Sequence, residues 1–136
     1  MSMKSPEVVS TTSAPKTGFS EGTESPIAQG VKCGGFLFVS GQGPLDPASR
    51  QIVSTDIAEQ TRATLDNVKA VLEAGGAGIA NVVRVGAYLR DMKDYAVFNQ
   101  VFKEYFAGVK PARTTIEAAP PRAGVNVEID AVAWLG

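Results

Sequence analysis

Histidine is absent from the 136-residue sequence, and cysteine occurs only once, as Cys33. Without histidine there is no His-based triad, no histidine general base and no HExxH-type zinc site. A single cysteine cannot form a disulfide within the chain or a cysteine-rich metal cluster. Catalysis would therefore depend on carboxylates, arginine, lysine, hydroxyl groups, amides and the backbone, and we expect neither a metal nor a cofactor.

An excess of charge and a long apolar run are also lacking. The sequence has 13 Lys and Arg against 14 Asp and Glu, a formal net charge of −1. This balance argues against the basic face that binding to nucleic acid usually needs. No apolar run approaches the roughly 20 residues of a membrane-spanning helix, and the N-terminus lacks the apolar stretch of a signal peptide. We therefore expect a cytoplasmic protein with no nucleic-acid and no membrane partner.

Composition divides the chain into a tail and one domain. Residues 1–24 are rich in Ser, Thr, Pro, Gly and Glu, which predicts a flexible N-terminal tail, with a short strand near Thr17–Ser20. Residues 25–136 contain no internal repeat and no second change of composition, so they predict a single domain.

The first half of the domain begins with two short apolar runs, Ala28–Cys33 and Phe36–Ser40. They flank Gly34–Gly35, a pattern typical of a β-hairpin with a two-residue turn. Apolar residues at helical spacing then predict a helix that is capped by Asp56. The glycine pair Gly75–Gly76 should end it.

The second half predicts a strand over Val82–Arg90, a helix over Tyr95–Ala107 and two strands over Arg113–Ala119 and Val125–Leu135. The element order is β-β-α-β-α-β-β, which indicates an α+β fold with a mixed sheet. Right-handed crossovers should place both helices on one face of that sheet.

Alternation in the last two strands predicts one face packed on the helices and one left open. If these strands pair as a hairpin, Arg113 lies opposite Glu128 or Asp130 on the open face. Tyr88 and Trp134 should share that face. The predicted helix-facing residues of the first of these strands are Thr114, Ile116 and Ala118.

Two interpretations of the open face remain. Its charges could form solvated cross-strand ion pairs, each contributing only about 0–1 kcal/mol. Alternatively, Trp134 beside Tyr88 indicates an interface with another subunit. An interfacial arginine binds a carboxylate through two hydrogen bonds, and a partly buried glutamate can deprotonate water. Such a pair suits the hydrolysis of a small anionic imine or enamine, which needs no strong nucleophile.

At this point the sequence resembles a known family, the Rid or YjgF proteins, which are reactive intermediate deaminases. The ordered similarity runs from about Ser25 to the C-terminus. It is carried by SGQGP (Ser40–Pro44), AEQTRATLDNVKAVLEAGG (Ala58–Gly76), VVRVGAYLRDMKDYAVFNQVFKEYF (Val82–Phe106), KPART (Lys110–Thr114) and VEIDAVA (Val127–Ala133).

The resemblance implies a chorismate-mutase-like fold, a homotrimer and clefts between subunits. It also implies cofactor-independent hydrolysis of 2-imino or 2-enamino acids to 2-oxo acids and ammonia. The family's carboxylate-binding arginine falls on Arg113, and its water-positioning glutamate falls on Glu128. Ser40, Gly41 and Asn99 match further residues of the cleft.

Two positions depart from the family pattern. Ile27 stands where the well-studied deaminases have tyrosine, which removes a hydroxyl and implies a different or bulkier substrate. Thr115 stands where they often have cysteine, at a position where the backbone does part of the binding. Three alternatives follow: a dedicated catabolic deaminase, for example of 2-aminomuconate; a regulatory module that binds a small carboxylate without turnover; and a ribonuclease, which the missing histidine and the net charge disfavour.

Overall fold

The structure is a computed structural model that describes residues 5–16 and 25–136. One mixed sheet has the strand order β1-β2-β3-β6-β4-β5. The strands are β1 (Glu7–Val9), β2 (Gly30–Cys33), β3 (Phe36–Gln42), β4 (Val82–Leu89), β5 (Ala112–Glu117) and β6 (Val127–Trp134), and the α-helices are α1 (Ile57–Ala74) and α2 (Tyr95–Tyr105). The predicted α+β class and element order are confirmed, with β1 as an additional strand.

The predicted hairpin is confirmed as β2 and β3, which pair antiparallel from Cys33 opposite Phe36. Gly34 and Gly35 have φ angles of 58° and 85°. Two successive positive φ angles match the right-handed twist of the strands, and glycine adopts them without a steric cost.

Helix α1 begins where its cap was predicted. The backbone N–H of Glu59 donates to Oδ2 of Asp56 at 3.0 Å, and Gly75 follows the last helical residue. Gly76 has a φ of 85°, the left-handed conformation that commonly ends a helix.

The core lies between the two helices and one face of the sheet. Its largest fully buried apolar side chains come from α1, α2 and the strands β3, β4 and β6; they are Phe98, Leu37, Leu65, Leu72, Leu89 and Ile129. Because both helices cover the same face, no layer formed by the described residues packs on the other face.

The predicted hairpin of the last two strands is wrong. Strand β4 lies between β5 and β6, parallel to the first and antiparallel to the second. Arg113 therefore pairs with Val85, and Glu128 pairs with Tyr88. The long crossover through α2 makes β5 parallel to β4, so that β5 can occupy the outer edge of the sheet.

The predicted faces of β5 are also inverted. Arg113 and Thr115 pair with Val85 and Ala87, which are completely buried beneath the helices. Ile116 lies on the open face and is 47% exposed. An edge strand contacts few side chains of the core, so alternation of apolar residues determines its orientation weakly.

A bulge interrupts the alternation of buried and exposed residues at the start of β4. The register shifts between Val82, which pairs with Ala133, and Arg84, which pairs with Val132. As a result Val82 is buried and Val83 is 42% exposed, the reverse of what strict alternation from the buried Val85 would give. A bulge inserts one unpaired residue and so changes the face of those before it.

The predicted flexible tail needs correction over residues 5–16. Strand β1 pairs with β2, and Val9 and Ala14 are buried in the core. The buried side chain of Gln29 holds this segment by hydrogen bonds to the backbone of Thr11, Ala14 and Pro15. The predicted strand near Thr17–Ser20 lies outside the described residues.

Within the described ranges, none of the helices has the length and apolar character needed to cross a bilayer.

Removing the α1 cap tests the local origin of this helix. Asp56→Ala should lower the free energy of unfolding by about 1 kcal/mol, because the N–H of Glu59 loses its acceptor. Asp56→Asn keeps an acceptor and should lose less. Urea unfolding of both variants measures the difference; an equal loss would show that the hydrogen bond is not the cause.

Candidate active site

Glu128 lines a pocket of about 310 Å³. Three other residues selected from the sequence, Ile27, Ser40 and Gly41, line the same pocket. The structure therefore brings together four of the seven candidate residues. The remaining walls come from the N-terminal segment and the loops beside β3 and β6; their residues are Pro15, Lys16, Gln42, Gly43, Leu45, Pro120, Pro121, Arg122 and Val125.

A β-bulge in β3 brings the backbone close to Glu128. Val39 pairs with Ala131 and Gln42 pairs with Ile129, so two residues, Ser40 and Gly41, oppose one residue of β6. A Cβ atom at Gly41 would lie 2.5 Å from Oε2 of Glu128. A side chain larger than glycine at this position would therefore displace the Glu128 carboxylate from the place it occupies.

Ser40 connects the bulge to the segment that contains Ile27. Its hydroxyl donates to the carbonyl of Ala28 at 2.6 Å, and its backbone N–H donates to the carbonyl of Gln29 at 2.9 Å. These bonds hold Ile27, which is 52% exposed, at the mouth of the pocket. The Ser40 hydroxyl oxygen also keeps acceptor capacity for a bound molecule.

Burial raises the pKa of Glu128, and the negative charge of Asp130 raises this pKa further. Asp130 is itself held in place, because its carboxylate accepts from the Tyr88 hydroxyl at 2.8 Å and from the Gly86 N–H at 3.1 Å. A carboxylate with a raised pKa is a stronger base than a solvated one, so Glu128 is suited to taking a proton from water.

Arg113 lies outside the Glu128 pocket, on the face of the sheet that the helices cover. Its guanidinium donates to Oδ1 of Asn99 and to the Tyr95 hydroxyl, both at 2.9 Å. It also lies over the Phe102 ring, 4.5 Å from the centroid. Two hydrogen bonds and an aromatic face fix the guanidinium plane, and its remaining N–H groups can bind a carboxylate.

Thr115 follows Arg113 on the same side of β5. Its hydroxyl oxygen is buried and has no hydrogen-bond partner among the residues that the structure describes. Ion pairs within this part of the chain are Arg62–Glu104 and Lys93–Asp91, so Arg113 also has no carboxylate partner there. Arg113 therefore keeps N–H groups for a molecule outside the chain, whereas the Thr115 hydroxyl is shielded from solvent.

The two groups of candidate residues lie on opposite faces of one sheet. Glu128 alternates with the buried Val127 and Ile129 and therefore points to the open face, whereas Arg113 packs on α2. Strand β4 separates their strands. One chain therefore cannot place both side chains on the same small molecule.

Sequence reasoning missed three residues near these groups. Tyr95 is 36% exposed and bonds Arg113. Lys16, from the predicted tail, and Arg122, from the loop before β6, both line the Glu128 pocket. No periodic signal identifies a loop residue whose position depends on distant contacts.

Comparison with known proteins assigns the family. The model of the endoribonuclease L-PSP family matches residues 20–135. A RutC family protein of Pyrococcus horikoshii is 44% identical over 128 residues, which cover 94% of this chain and 97% of that protein. The human 2-iminobutanoate/2-iminopropanoate deaminase is 36% identical over 129 residues, covering 95% and 90%.

Solved structures of related proteins have the same fold as this chain. The YjgF gene product of E. coli superposes with a TM-score of 0.83 at 33% identity, covering 94% of this chain and 98% of that one. E. coli TdcF with bound serine has a TM-score of 0.82 at 31% identity, with 94% and 98% covered. The fold is the chorismate-mutase-like fold of these proteins. The chain therefore belongs to the endoribonuclease L-PSP family, which includes the YjgF and Rid proteins that its motifs resemble.

Proposed function

We propose that this protein hydrolyses 2-imino or 2-enamino acids to 2-oxo acids and ammonia, in clefts that form between the subunits of a homotrimer. The observation that carries the proposal is that the chain presents, on opposite faces of its sheet, a fixed arginine with no carboxylate partner among the described residues and a partly buried glutamate of raised pKa. The human relative is named an imine deaminase, and TdcF binds serine, which carries an α-carboxylate.

The reaction needs only groups that this chain contains. Arg113 would hold the substrate carboxylate through two charged hydrogen bonds. Glu128 would take a proton from water while the water oxygen forms a bond to the protonated imine carbon. Glu128 then returns this proton to the nitrogen of the carbinolamine, and the C–N bond breaks. The hydroxyl proton passes to the departing ammonia as the C=O group forms, so the products are a 2-oxo acid and an ammonium ion. No oxidant or reductant is consumed.

The open face supports the proposed assembly. Exposed apolar side chains follow one another across β3, β6 and β5; the largest are Phe36, Phe38, Trp134 and Ile116. A second copy of the chain packed on this face would bury them and would bring a foreign β5 towards Glu128. Symmetric assembly would repeat the cleft around the axis.

A charge on the open face should break the assembly. Phe38 and Val97 are similarly exposed, at 47% and 44%, but Val97 lies on α2. Phe38→Asp should give a particle of 14.2 kDa instead of three times that mass, while Val97→Asp should leave the trimer intact. Light scattering measures the mass. A wild-type monomer would contradict the proposed cleft.

Mixing two inactive variants tests whether the site is shared. Arg113→Ala and Glu128→Gln should each abolish turnover. In mixed trimers a cleft is intact when one neighbour keeps Arg113 and the other keeps Glu128, so an equal mixture should recover about a quarter of the wild-type activity. Each variant refolded alone is the control. No recovery after confirmed subunit exchange would place both residues in the same chain.

The pH dependence of kcat/KM should follow the protonation of the Glu128 carboxylate. Activity should fall as the pH drops through its raised pKa, because protonation removes the base. Asp130→Asn removes a neighbouring negative charge and should shift this acidic limb to lower pH. Asp66→Asn is the control, since Asp66 also accepts from a tyrosine, Tyr105, but on the helix layer. Equal shifts in both variants would exclude Glu128 as the titrating group.

A further inference from the structure

Two cationic side chains, Lys16 and Arg122, line the same pocket as Glu128. The imine reaction described above does not use either of them. Neither forms an ion pair within the described ranges, where the pairs are Arg62–Glu104 and Lys93–Asp91. A pocket with two uncommitted cations beside a single carboxylate is suited to a further anion.

Arg122 is held in place by a network of buried backbone contacts. Its guanidinium donates to the carbonyl of Arg50 at 2.6 Å. Its own carbonyl accepts from Arg90 at 3.0 Å, and Arg90 also bonds the carbonyls of Pro120 and Val125. The loop is therefore tied to the end of β4, and the free N–H groups of Arg122 keep a defined position.

Hydrogen bonds from the Gln29 side chain position the backbone that precedes Lys16. Gln29 is only 6% exposed, and its side chain accepts from the N–H of Thr11 at 2.7 Å and donates to the carbonyl of Pro15 at 2.9 Å. These bonds fix the backbone directly before Lys16. A side chain in a loosely attached tail would not be directed to the pocket in this way.

The remaining walls of the pocket are largely apolar, with side chains from Ile27, Leu45, Val125 and three prolines. A charged hydrogen bond is stronger against such a surface than in open water, because the local dielectric constant is lower. A short uncharged substrate tail would contact the apolar walls and leave both cations unused.

We propose that Lys16 and Arg122 form a subsite for a second carboxylate, at the end of the substrate remote from the imine. The preferred substrates are therefore imino or enamino acids with an acidic side chain. This inference rests on the proposed function, in which Arg113 of a neighbouring copy binds the first carboxylate and Glu128 activates water.

Binding of product analogues tests the subsite without turnover. Calorimetry compares 2-oxoglutarate with 5-methyl-2-oxohexanoate, which replaces the distal carboxylate by an isopropyl group of similar shape. The wild-type protein should bind the diacid about tenfold more tightly, the effect of one charged hydrogen bond. Both titrations use the same ionic strength, because salt screens charges near the surface.

Charge-removing variants connect this preference to the two cations. Arg122→Gln and Lys16→Gln should each reduce the ratio of the two affinities towards one. Lys69→Gln removes the same charge from an exposed position on α1 and should leave the ratio unchanged. An equal effect of Lys69→Gln would show that net charge, and not the subsite, determines the preference.

Turnover of the two matching imines, generated by an amino-acid oxidase, separates this inference from the proposed function. Faster hydrolysis of the diacid, with its advantage lost in Arg122→Gln, supports both. A binding preference without any turnover keeps the subsite and overturns the proposed hydrolysis. Turnover without preference, or no binding of either 2-oxo acid, overturns the subsite.

Discussion

The backbone hydrogen bonds of β4 determine on which face of the sheet Arg113 and Glu128 lie. This strand pairs parallel with β5 on one side and antiparallel with β6 on the other. Because the side chains of a strand alternate between faces, the register places Arg113 over the aromatic rings of α2 and Glu128 on the open face. A shift of one residue in either pairing would exchange these faces and separate each side chain from its partners.

The proposed shared cleft follows from this arrangement. A guanidinium and a carboxylate within reach of one another in a single chain would pair and neutralise each other. Here neither has a partner of opposite charge among the described residues, since Arg113 donates to the neutral groups of Asn99 and Tyr95 and the carboxylate beside Glu128 is Asp130. Separation within the chain thus preserves two reactive groups until a neighbouring copy and a substrate bring them together.

Buried or half-buried polar side chains attach the loops that form the Glu128 pocket. Gln29 holds the N-terminal segment, Arg90 holds the loop before β6, and Asn67 of α1 bonds the carbonyls of Gly43 and Leu45. Each bonds carbonyl groups that would otherwise be left unsatisfied on burial. The pocket is therefore an extension of the core, although its walls are mostly loops.

The sequence by itself determined the local elements of this protein. Helical spacing with Asp56 and Gly75 defined α1, the Gly34–Gly35 pair defined the first hairpin, and family motifs selected Arg113 and Glu128 as candidate site residues. These features depend on neighbours within a few residues, which a sequence records directly. Only the tertiary structure decided that β4 lies between the last two strands, that Arg113 faces α2, and that residues 5–16 join the sheet and the pocket. Such choices depend on contacts between residues distant in the chain, where several pairings satisfy the same alternation of apolar and polar residues.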